Sequence, residues 1–452
     1  MNAAQLYDTI ASGSTVAPKI LSIALMLTAG FLLTRLTKKL SLPNVTAYLV
    51  AGILLGPFCL DLIPHSIVEG TDFLPDIALA FIAFGTGEFF RLETLRKNGP
   101  GVLLITLSEG LLAVLLVFAL TRGVFGLSFS FSLILAVLAA ATAPASTMMT
   151  IRQLGARGPF VDTLLQVVAM DNIVALVAYS IAVSLASASG AGAPVGILDC
   201  LIPVFLNLAV MLIGAVFGLF VMLFMRHRHS TDNRLIIAVT MLFTFCGIAS
   251  ILGVSPLLGC MAMGTVYVNT TGDERLFRQL GYFSPPILML FFVRSGISFD
   301  LGSLWNRSAD FGGYSLAVIG VGYFAARLLG KYFGSFLGAS LAKKEKTVCT
   351  CLGLTLIPQA SVAIGLAELG ARTLGGAAGR SLRTIILASS ILYELIGPAA
   401  AKWALTRAGT YPKGGFGADQ RTEHPAGQRT DPGAGAGHPE EEDSLTDEVD
   451  DI

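Results

Sequence analysis

Thr163-Leu-Leu-Gln-Val-Val-Ala-Met-Asp171-Asn172-Ile-Val-Ala-Leu-Val-Ala-Tyr179-Ser-Ile-Ala-Val-Ser-Leu185 decides the fold class. A bilayer core is crossed by roughly 20 mostly apolar residues in a helix, and this run is long enough while carrying no ionisable group except Asp171 and Tyr179. A carboxylate at that depth is costly and is typically retained to handle an ion or a proton. A second long apolar run, Tyr314 to Leu341, contains Lys331, a candidate counter-ion.

Composition agrees with a polytopic membrane protein: 54% of residues are hydrophobic and 13% charged, and the mean hydropathy is +0.73. Apolar stretches bounded by Gly, Pro and charge clusters give an all-α chain of about thirteen transmembrane helices, near 17–37, 44–60, 74–90, 100–121, 128–150, 160–187, 197–225, 235–252, 255–269, 284–299, 312–341, 347–369 and 382–406. The second and ninth are short, which leaves an interfacial or re-entrant reading open for each. Lys and Arg in short loops favour the cytoplasmic side. Alternate loops carry Arg35, Lys38 and Lys39; Arg91, Arg96 and Lys97; Arg152 and Arg157; Arg226, Arg228 and Arg234; Arg275 and Arg278; and Lys343, Lys344 and Lys346. The intervening loops carry few basic residues, with Arg372, Arg380 and Arg383 as the exception. The expected orientation is N-terminus outside and C-terminus cytoplasmic, in a cell inner (plasma) membrane.

The formal net charge of zero averages two unlike regions. From Thr410 onward there are eleven acidic and three basic residues, leaving 27 basic and 19 acidic residues in the membrane part. The expected organisation is therefore a transmembrane domain over 1–409 and a disordered acidic cytoplasmic tail over 410–452, whose composition cannot bury a core. The six cysteines show no CxxC pairing, and the five histidines map to loops or the tail. Proton chemistry within the membrane falls to carboxylates or lysine, and no cofactor is implied. No N-terminal stretch reads as a cleaved signal.

Transporters bind ions where interrupted helices bring half-helix ends to the midplane. Two spans carry such an interruption. Ala139-Ala-Ala-Thr142-Ala-Pro144-Ala-Ser146-Thr147 and Leu356-Ile-Pro358-Gln359-Ala-Ser361 each combine a proline, which removes a backbone donor, with polar side chains that can satisfy the freed groups. If residues 15–187 and 235–407 form two repeats, the two breaks correspond, and the span bearing Asp171 pairs with the span bearing Glu394. An odd offset of helices makes the second copy inverted, the arrangement of alternating-access transporters. Gly52-Ile-Leu-Leu-Gly56-Pro57 has a loose counterpart in Gly253-Val-Ser-Pro256-Leu-Leu-Gly259.

Leu42-Pro-Asn-Val-Thr-Ala-Tyr-Leu-Val-Ala-Gly-Ile-Leu-Leu-Gly-Pro57, the Thr142-Ala-Pro144 break, Met170-Asp-Asn172, Phe291-Phe-Val-Arg-Ser-Gly296 and Arg327-Leu-Leu-Gly-Lys331 follow one another in an order that resembles the monovalent cation:proton antiporter-2 family. The resemblance implies a homodimer, each protomer having a core domain with two crossed discontinuous helices and a panel domain for dimer contact. It implies an ion-binding pair at Asp171 and Asn172, with Thr142 and Ser146 nearby. It also implies crossing-helix breaks at Pro144 and at Pro358, Gln359 and Ser361, and a membrane-embedded lysine at Lys331, for which Arg327 is the alternative. The chain departs from the family in one respect. Electrogenic relatives carry two aspartates and electroneutral ones Asn then Asp, whereas here Asp171 precedes Asn172.

The chemistry of the site points the same way. Desolvation pushes a buried carboxylate towards its neutral form and a nearby cation towards its charged form, so Asp171 facing Lys331 is placed to trade a proton for a hard monovalent cation. Oxygen ligands suit Na+: the Asp171 carboxylate, the Asn172 amide, the Thr142 hydroxyl and carbonyls freed at the breaks. The expected function is Na+/H+ exchange, with K+/H+ exchange or proton-coupled organic-anion transport as alternatives. If only Asp171 changes occupancy, exchange is electroneutral; if Lys331 also releases its proton, net charge moves. An enzyme is not expected, because intramembrane aspartyl proteolysis needs two deep aspartates and only Asp171 reads as deep. Glu109 reads as a partnered structural glutamate in a helix contact, with a second proton site as the alternative. Glu394 reads as a helix-end anchor, and Arg294 as a residue that snorkels to the interface or lines the pathway.

Overall fold

The computed structural model describes residues 16–410 except 40–42, 144–146, 149, 152–153, 191–196, 226–230, 253 and 306–312. Pro144, Ser146 and the acidic tail beyond Thr410 lie outside the described residues. The described chain is helical and contains no β-strand. In order, the helices are α1 (Ala17–Lys39), α2 (Asn44–Leu55), α3 (His65–Gly70), α4 (Leu74–Gly87), α5 (Leu92–Phe118), α6 (Phe129–Leu138), α7 (Pro159–Gly190), α8 (Ile197–Phe224), α9 (Thr231–Ile251), α10 (Leu257–Thr271), α11 (Arg275–Phe283), α12 (Pro285–Ile297), α13 (Leu301–Trp305), α14 (Leu316–Leu341), α15 (Lys346–Thr355), α16 (Ser361–Leu374) and α17 (Gly376–Arg407). His65, read as a loop residue, opens the short helix α3.

Seven of these helices are long and apolar enough to cross a membrane, or eight when α11 and α12, bent by 48° to one another, count as one span. The bend falls at Ser284, immediately before Pro285 and Pro286, where prolines interrupt the hydrogen-bond ladder. The other apolar segments are short: α2 has 12 residues, α6 has 10 and α15 has 10. Large apolar side chains such as Leu32, Leu212, Ile236 and Phe333 point outward. That is the pattern of helices whose solvent is lipid rather than water.

Helices in lipid gain little from burying apolar surface against one another and associate through close packing, for which small residues are needed. The structure uses them at several crossings. A Cβ on Gly52 of α2 would lie 2.1 Å from the Val293 carbonyl oxygen of α12, and one on Gly214 of α8 would lie 2.1 Å from that of Gly259 in α10. A third crossing positions the site. Gly330, Gly334 and Gly338, four residues apart on one face of α14, press against the backbone of α5 at Ala113, Glu109 and Ile105. α5 and α14 are thereby packed side by side over most of their lengths.

Candidate ion-binding site

α6 stops at Leu138, and α15 stops at Thr355 with α16 restarting at Ser361, so two helices are interrupted inside the bundle. The interruptions meet. The Ala143 amide donates to the Pro358 carbonyl at 3.0 Å, and the Thr147 hydroxyl donates to the Thr355 carbonyl at 3.2 Å.

A helix end leaves its last four carbonyls without intrahelical donors and carries a partial negative charge. At the end of α6, side-chain donors from elsewhere in the bundle reach four consecutive carbonyls. Gln359 Nε2 donates to Leu138 O at 2.6 Å, Arg327 Nε to Ala139 O at 3.0 Å, Lys331 Nζ to Ala140 O at 2.5 Å, and an Arg327 terminal nitrogen to Ala141 O at 2.7 Å. The other terminal nitrogen of Arg327 donates to Ile357 O at 2.8 Å, in the second break. Its guanidinium also lies 4.5 Å from the centre of the Tyr393 ring. Arg327 is thus a brace that ties both breaks together.

Lys331, one helical turn further along α14, reaches the carboxylates. Its Nζ lies 3.0 Å from Asp171 Oδ2 and 3.0 Å from Thr142 Oγ1, and the Thr142 hydroxyl donates to the same Asp171 oxygen at 2.6 Å. The geometry therefore brings Thr142, Asp171 and Lys331 together and sets Arg327 on the break carbonyls instead. Asp171 Oδ1 has no hydrogen-bond partner, and neither polar atom of the Asn172 side chain has one. Asp171 and Asn172 are nonetheless 1% and 2% exposed. Gln359 is buried and exchanges a hydrogen bond with Tyr323, while Ser361 begins α16.

Glu109 sits in the contact between α5 and α14, where its sequence reading as a partnered helix-contact residue puts it, and its partner there is the site lysine. Its Oε2 lies 2.6 Å from Lys331 Nζ, and both side chains are fully buried. Asp171 is consequently not the only deep carboxylate. The readable signal was the Gly330-x3-Gly334-x3-Gly338 stripe, which marks the face of the Lys331 helix that admits a neighbouring backbone; a Cβ on Gly334 would lie 2.5 Å from Glu109 Cα. Nothing in the sequence states which helix comes to that face.

Of the two sequence readings of Arg294, burial rules against snorkelling, since the residue is 4% exposed. It donates to Val68 O and Thr71 Oγ1 at 3.1 Å, pairs with Asp72, and lies 3.9 Å from Glu368 of α16. Glu368 is 2.7 Å from Arg383 of α17, and Arg372 of α16 is 3.5 Å from Asp76 of α4. Beside this network a cavity of about 580 Å³ opens, lined in part by Asp76, Tyr179, Ser180, Asn207 and Cys246. Tyr179 lies two turns beyond Asp171 on α7.

Interrupted helices capped by buried cations surround an aspartate. The sequence profile of the transmembrane sodium/hydrogen exchangers matches residues 22–407. The chain belongs to that family. The family consists of membrane transporters for cation–proton exchange, not of enzymes. Similar proteins include the probable Na(+)/H(+) antiporter 3 of Methanocaldococcus jannaschii, 22% identical over 394 residues that cover 84% of this chain and 94% of that one. The Na(+)/H(+)-K(+) antiporter GerN of Bacillus cereus is 23% identical over 383 residues, covering 84% and 95%. Among solved structures, the sodium proton antiporter MjNhaP1 from Methanocaldococcus jannaschii superposes with a TM-score of 0.67 at 19% identity, covering 86% of this exchanger-family chain and 98% of that one. At that identity the likeness speaks for the fold.

Proposed function

We propose that the protein exchanges a monovalent cation, Na+ foremost, for protons by alternating access, with Asp171 binding the cation and the proton in turn. The observation that carries this reading is the state of the Asp171 carboxylate. One oxygen is held by Lys331 and Thr142, while the other is buried yet unbonded beside the crossing of two interrupted helices. A buried oxygen without a partner is costly, and a proton or a hard cation relieves that cost. Their competition for one carboxylate couples the two flows.

Thr142, Asn172 and carbonyls at the breaks are the further oxygen ligands of this reading, and Ser146 is assigned with them. Potassium is the alternative cation, favoured by the name of the Bacillus relative. A homodimer in an inner membrane, with the N-terminus outside and the C-terminus cytoplasmic, completes the proposal. It is supported by the loop charges and by the apolar outward faces of α1, α8 and α9.

The test is reconstitution in liposomes with an internal pH dye, an imposed proton gradient, and Na+, K+ and Li+ added in turn. Dye recovery with a cation is the expected result. Its absence in sealed vesicles of inserted protein would refute the proposal.

A further inference from the structure

The proposed exchange uses Asp171, and the structure supplies a second buried carboxylate that it leaves without a task. Glu109 Oε2 stands 2.6 Å from Lys331 Nζ, nearer than Asp171 Oδ2 at 3.0 Å. Glu109 and Lys331 have no exposed side-chain surface and Asp171 has 1%. Arg327, the nearest other cation on α14, is occupied by carbonyls of the two breaks. Among the described residues, neither carboxylate has another ion-pair partner. Both keep an oxygen, Glu109 Oε1 and Asp171 Oδ1, without a hydrogen bond.

With every group ionised, two carboxylates against one ammonium leave the cluster with one net negative charge. Burying uncompensated charge is strongly unfavourable, so the cluster takes one positive charge, and either a proton or a monovalent cation meets the need. Asp171 and Lys331 alone behave differently. That pair is already neutral, and a cation entering it adds uncompensated charge unless Lys331 releases its proton.

We propose that Glu109 is the second carboxylate of the ion site, holding Lys331 in its protonated form while the cation occupies Asp171, so that exchange is one for one and electroneutral. This rests on the reading of Asp171 as the cation-binding group. In the balanced step, the cation enters at Asp171 as one proton leaves the Glu109–Asp171 pair, and the ammonium of Lys331 shifts its weight to Glu109 without losing a proton. On the return, one proton replaces the cation. Glu109 is placed for this by the glycine stripe of α14, because a Cβ at Gly334 would meet Glu109 Cα at 2.5 Å.

The experiment uses full-length protein in liposomes with a pH dye and Na+, with and without a clamp of the membrane potential, on wild type, Asp171→Asn, Glu109→Gln and the double variant Glu109→Gln with Lys331→Gln. Wild type is expected to exchange at the same rate with and without the clamp. Glu109→Gln makes the cluster neutral and is expected to raise the half-saturating Na+ concentration by about tenfold or more. The double variant restores one net negative charge and is expected to recover Na+ affinity, an outcome that a merely structural glutamate does not give. Potential-driven exchange by wild type would overturn the proposal without reference to any variant. So would Glu109→Gln with wild-type half-saturation, or a folded double variant no better than Glu109→Gln. If Asp171→Asn abolishes exchange while Glu109→Gln is unaltered, the Asp171 site stands and this inference falls; if wild type moves no protons with any cation, both fall.

Discussion

Ala143 and Pro358 join the two interrupted helices directly, the amide of the first donating to the carbonyl of the second at 3.0 Å. That single bond would not hold two helix ends in a membrane interior. Arg327 strengthens the join by donating to carbonyls from both sides, Ala139 and Ala141 in one break and Ile357 in the other. Arg327→Met keeps the bulk and removes every donor, leaving buried carbonyls unpaired at a cost of about 3 kcal/mol or more. The expected result is a clear drop in melting temperature in detergent with loss of exchange. An unchanged melting curve would show that the breaks hold without it.

Asp171→Asn has the opposite stability signature. The substitution leaves Glu109 and Lys331 as a neutral buried pair, so the cluster no longer carries a surplus negative charge. Melting temperature is expected to be equal to or above that of wild type, with exchange abolished. Full activity in a folded Asp171→Asn protein would remove Asp171 from the transport cycle.

Gly334→Val tests whether the approach of α5 to α14 matters for transport or only for folding. The added side chain meets Glu109 Cα and the Ser108 carbonyl, both backbone atoms that cannot step aside without moving α5. Overpacking of this kind costs about 1–3 kcal/mol and displaces Glu109 from Lys331. Lower Na+ affinity in the surviving folded fraction is expected, and wild-type affinity would separate the packing from the site.

The span of Thr163 to Leu185, with one carboxylate amid apolar residues, was sufficient to read a transporter fold, because bilayer thickness imposes a length that composition reveals. The breaks at Thr142 and Pro358 were legible for a similar reason: proline leaves backbone groups unpaired, and polar neighbours show that they are satisfied. Two things were not legible. Lys331 and Arg327 are one turn apart on one helix, and only the position of α6 decides which meets Asp171 and which caps carbonyls. The partner of Glu109 is the second, because local sequence gives a residue's depth along its own helix but not the neighbour it meets. Span counting met the same limit: apolar runs read as full spans near 44–60, 128–150 and 347–369 hold the helices α2, α6 and α15 of only 12, 10 and 10 residues, because hydropathy alone does not show where a helix stops inside an apolar run.

Outside the spans, Asp273 gives a pH-dependent contribution of known sign. Burial acts to raise its carboxyl, but the Arg275 amide, Arg234 and the Tyr267 hydroxyl together hold it below the ordinary aspartate value. A carboxyl depressed in the folded state contributes stability that is present above its unfolded value of about 3.9 and is lost as pH falls through the folded value. The group is partly exposed, so solvent screening limits the effect to about 1 kcal/mol or less. Asp273→Asn is expected to lower the melting temperature slightly at pH 7 and to make no difference at pH 2; an equal deficit at both would point to lost packing rather than charge.

Arg294 and Glu368 sit in a charge network that ties α4 and α12 to α16 and α17 at the end of the bundle away from the basic loops, the outer end in the proposed orientation. The proposed alternating access requires that end to open in part of the cycle, and opening would break the contacts that cross it. The Arg372–Asp76 pair is partly exposed and worth about 1 kcal/mol or less, whereas Arg294 and Glu368 are buried and hold more. Glu368→Gln removes a carboxylate shared by Arg294 and Arg383, which shifts the equilibrium towards the open form by roughly tenfold for each 1.4 kcal/mol lost. Cys246, which lines the adjoining cavity, is a native reporter, and exposed Cys59 serves as the reference site. Labelling with a membrane-impermeant maleimide, resolved by mass spectrometry, is expected to modify Cys246 faster in Glu368→Gln while Cys59 is unchanged. Equal Cys246 rates in the two proteins would mean that this network stabilises the fold without closing the outer end.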